Sequence, residues 1–381
     1  MKRSVLRQMI AVTAQPGILS FAGGLPAPEL FPNEQFAEAM AQVLWDPLSL
    51  QYGPPQATLK AQIVQLMSQR GVTCIPEQVF ITTGAQQGLD VLTRFLLNPG
   101  GTMILENIVY TGAQQVLAPF QPHILTVPTD LETGIDVDAL EAHLQNGHRP
   151  AYLYSITEAH NPLGVSLSQA KRHQLIEVAQ QYGVPIIEDD PYGFLVYDDQ
   201  PLPPLRALDE KHVIYLGSFS KILAPALRLG WMVAPLELIP KLTVVKEMAD
   251  LESSVLIQRA AATFLASGYF PAHLARLKTE YRLRRDTMLA ALEKHFPKEA
   301  RWTRPRGGMF IWVELPGHVD TAALLDIAIA QEKVAFIPGH AFGVEPGRGR
   351  NCLRLNFSNA TPEKIEDGIA RLGRVLIERN S

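Results

Sequence analysis

Lys221 closes the tetrapeptide Ser218-Phe219-Ser220-Lys221, directly after the run Val213 to Gly217. A lysine amine at the end of a strand can condense with a carbonyl compound or shuttle a proton, provided its surroundings keep it neutral. Most lysines are solvated surface groups, so the residue type alone decides nothing. Its neighbours add more. Ser218 and Ser220 bring two hydroxyls, and Arg228 follows seven residues on. Together they suit a phosphate dianion, with the guanidinium as a charge-assisted fork.

Other segments bring complementary groups. Asp189 ends the run Val184-Pro185-Ile186-Ile187-Glu188-Asp189. A carboxylate there can pair with the protonated pyridine nitrogen of pyridoxal 5'-phosphate (PLP), a partner the ring needs to act as an electron sink; it can equally cap a turn. Tyr192, three residues on, can reach the phenolic oxygen of such a ring. Asn161, in His160-Asn161-Pro162-Leu163-Gly164, can donate to the same oxygen, although taken alone this motif is only a turn. Thr82 to Asp90 joins a strand to a helix through Gly84, and the N–H groups of Ala85 and Gln86 open that helix toward an anion. It is neither a Walker A sequence nor G-x-G-x-x-G. Arg354, among the apolar residues of CLRLNFS, suits either an internal ion pair or a bound carboxylate.

The elements that must position these groups alternate. From Val79 onward VFIT, TMIL, HILTV, AYLYSI, VPIIED, HVIYLGS and LGWMVA read as strands. Between several of them lie amphipathic helices: AQQGLDVLTRFL, DVDALEAHL and SQAKRHQLIEVAQQYG, the last stopped by Gly183. This pattern predicts an α/β fold with a mainly parallel sheet covered on both faces. Ligands of such sheets bind at the carboxyl ends of the strands, where Asp189 and Lys221 fall. Upstream, Ser4 to Thr13 reads as a short amphipathic helix, FAGGLPAPELFP as an extended segment, and Asn33 as the cap of a helix running to about Leu44. Long helices are expected over about Leu238–Ser267 and Pro271–His295. MFIWVEL, VAFIP and CLRLNFS then alternate with helices in an α+β pattern that predicts a smaller second domain.

Bulk properties bound the function. A chain of 381 residues exceeds one typical domain, and with 47% hydrophobic and 19% charged residues it can bury a large core. The formal net charge of −4 and the lack of a basic block argue against nucleic acid. Two unpaired-looking cysteines suit a reducing compartment. No zinc-ligand spacing occurs among the ten histidines, so no metal is expected. The start MKRSVLRQMIAV is too interrupted for a signal peptide, and no apolar run is long enough to cross a membrane, so the expected location is cytoplasmic.

The pieces TGAQ, HNP, DDPY, SFSK with Arg228, and LRLNFS occur in one order. That ordered set resembles the class I/II aminotransferases of the fold-type I PLP enzymes, over nearly the whole chain. SVLRQMI, PGILSFAGGLPAPELFP, RPRGGMF and LRLNFS narrow the likeness to the 2-aminoadipate and kynurenine/aminoadipate aminotransferases. The resemblance implies the aspartate aminotransferase fold: an arm and part of the small domain over residues 1–45, a large PLP-binding domain over 46–285, and a C-terminal small domain over 286–381. It implies a homodimer with sites at the subunit interface, and transfer of an amino group from an L-amino acid (2-aminoadipate, glutamate, aromatic or branched-chain) to a 2-oxo acid such as 2-oxoglutarate, by a ping-pong route.

Position by position, the resemblance implies that Lys221 is the Schiff-base lysine and proton carrier. Asp189 would hold the pyridine nitrogen, and Asn161 and Tyr192 the phenolic oxygen. Ala85, Gln86, Ser218, Ser220 and Arg228 would surround the phosphate, Tyr110 would stack on the ring, and Tyr52 would reach the partner subunit's cofactor and substrate. Arg354 would fork onto the substrate α-carboxylate, Gly24 would lie against the substrate, and Arg7 could pair with a distal carboxylate. The usual QNPTG reads HNPLG here, Ala85 stands where a serine is usual, and the Gly common after YGPP is missing. These departures leave the chemical groups intact and bear on substrate preference. Two other classes share this fold: a PLP-dependent lyase or decarboxylase, and a non-catalytic PLP-binding regulator domain. The latter carries an N-terminal winged helix, whereas this sequence begins directly at the arm helix.

Overall fold

The computed structural model describes residues 17–198 and 200–380. The helix expected over Ser4 to Thr13, and Arg7 with it, lie outside the described residues.

Helices α1 (Asn33–Leu44) and α2 (Ala57–Gln69) precede the main sheet. Asn33 is the first residue of α1, not its cap; Pro32 holds the cap position and offers no side-chain acceptor. The main sheet has seven strands: β1 (Val79–Thr82), β2 (Thr102–Glu106), β3 (His123–Val127), β4 (Leu153–Ser155), β5 (Ile186–Asp189), β6 (Val213–Ser218) and β7 (Gly230–Val233). Their order across the sheet is β1-β7-β6-β5-β4-β2-β3. All neighbours run parallel except at β7, which is antiparallel to both β1 and β6. The connection from β6 to β7, residues 219–229, is too short for the crossover a parallel return needs.

The strands read as continuous apolar runs because both faces are covered. Met103, Leu105, Ile187, Ile214 and Leu216 pack with α3 (Ala85–Leu96) and α4 (Thr111–Leu117). The alternating residues Ile104, Leu153, Ile186 and Val213 pack with α5 (Val137–Gln145) and α6 (Gln169–Tyr182). Gly183 ends α6 in the left-handed region at φ 66°, as a C-capping glycine should.

The expected helix over Leu238–Ser267 is two helices, α7 (Ile239–Glu247) and α8 (Val255–Ala266). The Ser254 side chain accepts from the Ile257 N–H and starts α8 afresh. Helix α9 (Phe270–His295) is unbroken. The second sheet is antiparallel and contains β8 (Arg301–Trp302), β9 (Phe310–Glu314), β10 (Ile337–Pro338) and β11 (Cys352–Asn356), in the order β8-β9-β11-β10. VAFIP is not one strand. Val334–Ala335 pairs parallel with Leu19–Ser20, while Ile337–Pro338 joins β11. That pairing lays the extended arm along the second sheet, where Asn356 N–H donates to Phe21 O, and carries Gly23 and Gly24 to the mouth of a cavity. Helix α10 (Pro362–Asn380) packs on α9. No helix among the described residues is long and apolar enough to cross a membrane.

Candidate active site

A cavity of about 290 Å³ opens between the carboxyl ends of β5 and β6, the start of α3, the arm and the second sheet. Of the fourteen residues singled out in the sequence, twelve line it: Gly24, Ala85, Gln86, Tyr110, Asn161, Asp189, Tyr192, Ser218, Ser220, Lys221, Arg228 and Arg354. Tyr52 does not. It is 82% exposed, on the surface after α1.

Each side chain is placed by a local feature. Strand β5 is buried along its length and delivers Asp189 to the cavity at its last residue. Tyr154 OH donates to Asp189 Oδ2 at 2.7 Å, while Oδ1 is buried without a partner. Burial pushes the Asp189 carboxyl up to about 7, and the neighbouring Asp190 charge adds to the rise against the Tyr154 hydrogen bond. A buried acceptor without a partner is costly, so Oδ1 is suited to a charged N–H from a ligand.

Lys221 lies three residues beyond β6 and donates from Nζ to Gly24 O at 2.6 Å. Burial, with repulsion from Arg354 and Arg228, brings its amine down to about 8. Arg354 sits mid-strand in β11, opposite Trp312 and Ile337. Its Nη1 donates to Asn161 Oδ1 at 2.8 Å and its Nη2 to Ala22 O at 2.6 Å. The guanidinium lies 4.1 Å from the ring centre of Phe310 and 5.0 Å from that of Phe342. Only 1% of Arg354 is exposed, Nε has no partner, and among the described residues no carboxylate pairs with it. Burial lowers it to about 10. The internal ion pair is thus absent, and the cation is left for a bound carboxylate.

Asn161 stands before a cis peptide bond to Pro162. Its oxygen faces Arg354, an assignment the donor dictates, so its amide nitrogen is turned to the cavity side, where it hydrogen-bonds the Tyr192 hydroxyl. Tyr192 packs edge-on to Phe310 at 5.9 Å, and burial drives its phenol well up. Burial raises Tyr110 as well.

At the opposite end, Gly84 takes φ 84° and starts α3. The helix's own bonding begins with Gln87 and Gly88 N–H onto Gly84 O, ahead of which lie the amides of Ala85 and Gln86. Arg228, itself left-handed at φ 47°, brings its Nη2 to 2.9 Å from where a Gly84 Cβ would stand. It forms no ion pair among the described residues. Ser218 Oγ accepts from Ser220 N–H at 3.1 Å. A helix start, two hydroxyls and an uncompensated guanidinium form an anion cradle. The unpartnered Asp189 Oδ1, the lowered Lys221 amine and this cradle therefore fit the ring nitrogen, aldehyde and phosphate of PLP.

Sequence reasoning missed several walls. Leu25, Leu89, Ile156, Pro191 and Phe310 line the cavity without a chemical signature, although Phe310 belongs to the RPRGGMF motif. Tyr154 was hidden because its contact depends on strand register. His160 and Leu163, the two departures in HNPLG, are buried behind the cavity and do not line it.

The model of the family described as aminotransferase class I and II matches residues 26–372. The chain is 42% identical to the 2-aminoadipate transaminase of Thermus thermophilus, over 98% of this chain and 94% of that one. It is 38% identical to aromatic-amino-acid aminotransferase 1 of Thermococcus litoralis, over 99% and 92%. Among solved structures, an α-aminoadipate aminotransferase of Thermus thermophilus, complexed with N-(5'-phosphopyridoxyl)-L-leucine, superposes with a TM-score of 0.92. It is 40% identical, with 99% of this chain and 95% of that chain covered.

Proposed function

The chain belongs to the class I and II aminotransferases and is a PLP-dependent aminotransferase; from that premise we propose which of its residues do the work and which amino donors it takes. The observation that carries the proposal is Arg354, a fully buried cation with no carboxylate of its own, in the cavity that holds Lys221 and Asp189. PLP, when bound, supplies an aldehyde for the donor's amine and a ring that withdraws electrons from the donor's Cα.

Lys221 Nζ holds the cofactor at rest and moves the proton from the donor's Cα. It works as a base only when neutral, which its surroundings favour. Asp189 Oδ1 would accept from the ring nitrogen, and Asn161 and Tyr192 would face the phenolic oxygen. Tyr110 covers the ring. The amides of Ala85 and Gln86, the hydroxyls of Ser218 and Ser220, and Arg228 hold the phosphate. Arg354 and Asn161 fix the α-carboxylate, which orients the Cα–H toward Lys221. With water supplying the keto oxygen and the cofactor retaining the amino group, the donor would leave as its 2-oxo acid, and a second 2-oxo acid would take the amino group by the reverse path and release the water. No observation favours a lyase or decarboxylase.

Donor choice follows from the remaining walls. Gly24, Leu25, Tyr110 and Phe310 offer room and apolar surface, suited to leucine and aromatic side chains. Lys221, Arg228 and Arg354 are the only cations of the described cavity, and each already has a role. Acidic substrates, 2-aminoadipate, glutamate and 2-oxoglutarate, therefore need one more cation, and Arg7 of the arm is the candidate. In a donor panel with 2-oxoglutarate, Arg7→Ala should lower kcat/KM for glutamate by about tenfold to a hundredfold, the scale of a charge-assisted hydrogen bond, and leave leucine half-reactions near normal. Equal losses on both donors, or none on either, overturn the role of Arg7. Lys221→Ala in the same assay should turn over neither donor.

We propose that the chain works as a cytoplasmic homodimer, and its surface supports the dimer. Trp45, Leu48, Leu50 and Tyr52 are exposed in one segment, and Met248 and Leu251 are exposed in another. The Asp46–Arg259 ion pair and the hydrogen bond from Arg259 to Ser49 Oγ join the 46–53 segment to α8, next to the second segment. Asp250 in turn accepts from Thr83 and Gln87 beside the anion cradle. A partner seated there would bring its own Tyr52 toward that cradle. We likewise propose the division into residues 1–45, 46–285 and 286–381.

A further inference from the structure

His160 is buried, bears no direct relation to the cavity, and sits one residue before Asn161. Its Nδ1 faces the Leu163 N–H at 3.5 Å, so Nδ1 is the acceptor and the ring proton belongs on Nε2. Nε2 has no hydrogen-bond partner and points at Glu106 Oε1, 3.6 Å away at the end of β2. Glu106 is itself buried and, among the described residues, is the charged group that faces the ring. Its Oε1 takes the Ser155 hydroxyl and its Oε2 the Thr129 hydroxyl, both at 2.6 Å. The space beside them, lined by Glu106, Thr129, Ser155 and His160, is about 10 Å³, room for one water at most. Burial keeps His160 neutral, against the pull of Glu106.

Arg172 holds the flanks of the loop that carries Asn161 through Thr157 O, Glu158 and Leu167 O, whereas the inner turn is closed by its own backbone: His160 N–H to Val165 O at 2.7 Å and Gly164 N–H to His160 O at 2.6 Å. The His160 ring is the link from this loop to the sheet end at Glu106. Asn161 in turn fixes one arm of Arg354. We propose that His160 is a positioning residue: its Nε2–H, directed at Glu106 directly or through one water, latches the loop so that Asn161 holds Arg354 in register for the substrate α-carboxylate. This also accounts for the departure at this position, since a glutamine side chain ends in an N–H donor of similar reach. The inference rests on the reading of Arg354 as the carboxylate site.

Variants of the holoenzyme test it. His160→Gln should keep KM for the amino donor within about twofold. His160→Leu, which leaves the Glu106 carboxylate facing an apolar group, should raise that KM by about tenfold or more while the cofactor stays bound, with its visible spectrum displaced because Asn161 also faces its phenolic oxygen. His160→Asn, too short to reach Glu106, replaces it if the leucine variant does not fold. In an Arg354→Met background, the His160→Leu change should add nothing further to KM, because both act on one contact. The latch is overturned if the glutamine variant is as impaired as the leucine variant, if His160→Leu leaves KM unchanged, or if the two changes add. A normal KM in Arg354→Met alone would instead overturn the Arg354 reading.

Discussion

At the scale of single residues, the cavity keeps charges that the fold alone would not choose. Asp189 is 6% exposed and its Oδ1 is unpartnered. Its folded pKa of about 7 lies above the ordinary 3.8, so between those values the folded chain holds a proton the unfolded chain has lost. Stability from this group is present below about pH 4 and lost as pH rises through 7. Asp189→Asn in the cofactor-free protein should therefore stabilise by about 1–3 kcal/mol at pH 8, with the gain shrinking toward pH 4. Denaturant unfolding at the two pH values measures it, and a pH-independent difference would falsify the assignment of the shift to Asp189. The residues legible in the sequence were those whose chemistry is carried by type and neighbourhood: Lys221 with its serines, Asp189 at a strand end, Arg354 among apolar residues. Tyr154 and His160 were not. Their roles come from what lies across a strand pair or behind a loop, which spacing along the chain does not encode.

At the scale of elements, the turn from β1 into α3 shows how backbone shape sets chemistry. Gly84 is in the left-handed region, and a Cβ there would meet Arg228 Nη2 at 2.9 Å. Gly84→Ala strains the backbone by about 1–2 kcal/mol and displaces the guanidinium from the cradle. The expected result is a PLP dissociation constant raised by about tenfold with a modest fall in Tm; titration of the cofactor-free variant with PLP reads the first. Unchanged affinity would show that Arg228 does not serve the phosphate from this position. The turn was visible in Thr82 to Asp90 because glycine before a helix start is a strong local signal. The sheet was visible for a different reason: two covered faces force unbroken apolar runs, such as Ile186–Ile187 and Val213–Leu216. The interruption between α7 and α8 was not, because only the Ser254 cap marks it. Nor was the split of VAFIP between the Leu19–Ser20 strand and β11, which pairing partners decide.

At the scale of the whole molecule, the surface after α1 sets the last prediction. Trp45 is 88% exposed, Leu50 74% and Tyr52 82%. Clustered large apolar side chains at that exposure are uncommon on a monomer surface, which supports the interface proposed above. Asp250, beside the exposed Met248 and Leu251, accepts from Gln87 next to the cradle, so assembly over this face and cofactor binding should be coupled: a ligand that binds only the assembled form stabilises it. The wild-type chain is expected to run as a dimer in light scattering. Leu50→Glu buries a charge in the contact and should yield monomer, with PLP affinity lowered at least about tenfold. Tyr52→Phe should stay dimeric yet bind PLP more weakly, since it removes only a hydroxyl, worth about 1 kcal/mol or more when it meets a phosphate. A monomeric wild-type chain would sink the interface. A Leu50→Glu monomer with undiminished PLP affinity would show that one chain completes the site, and would leave the exposed Tyr52 without the role its position in QYGPP implies.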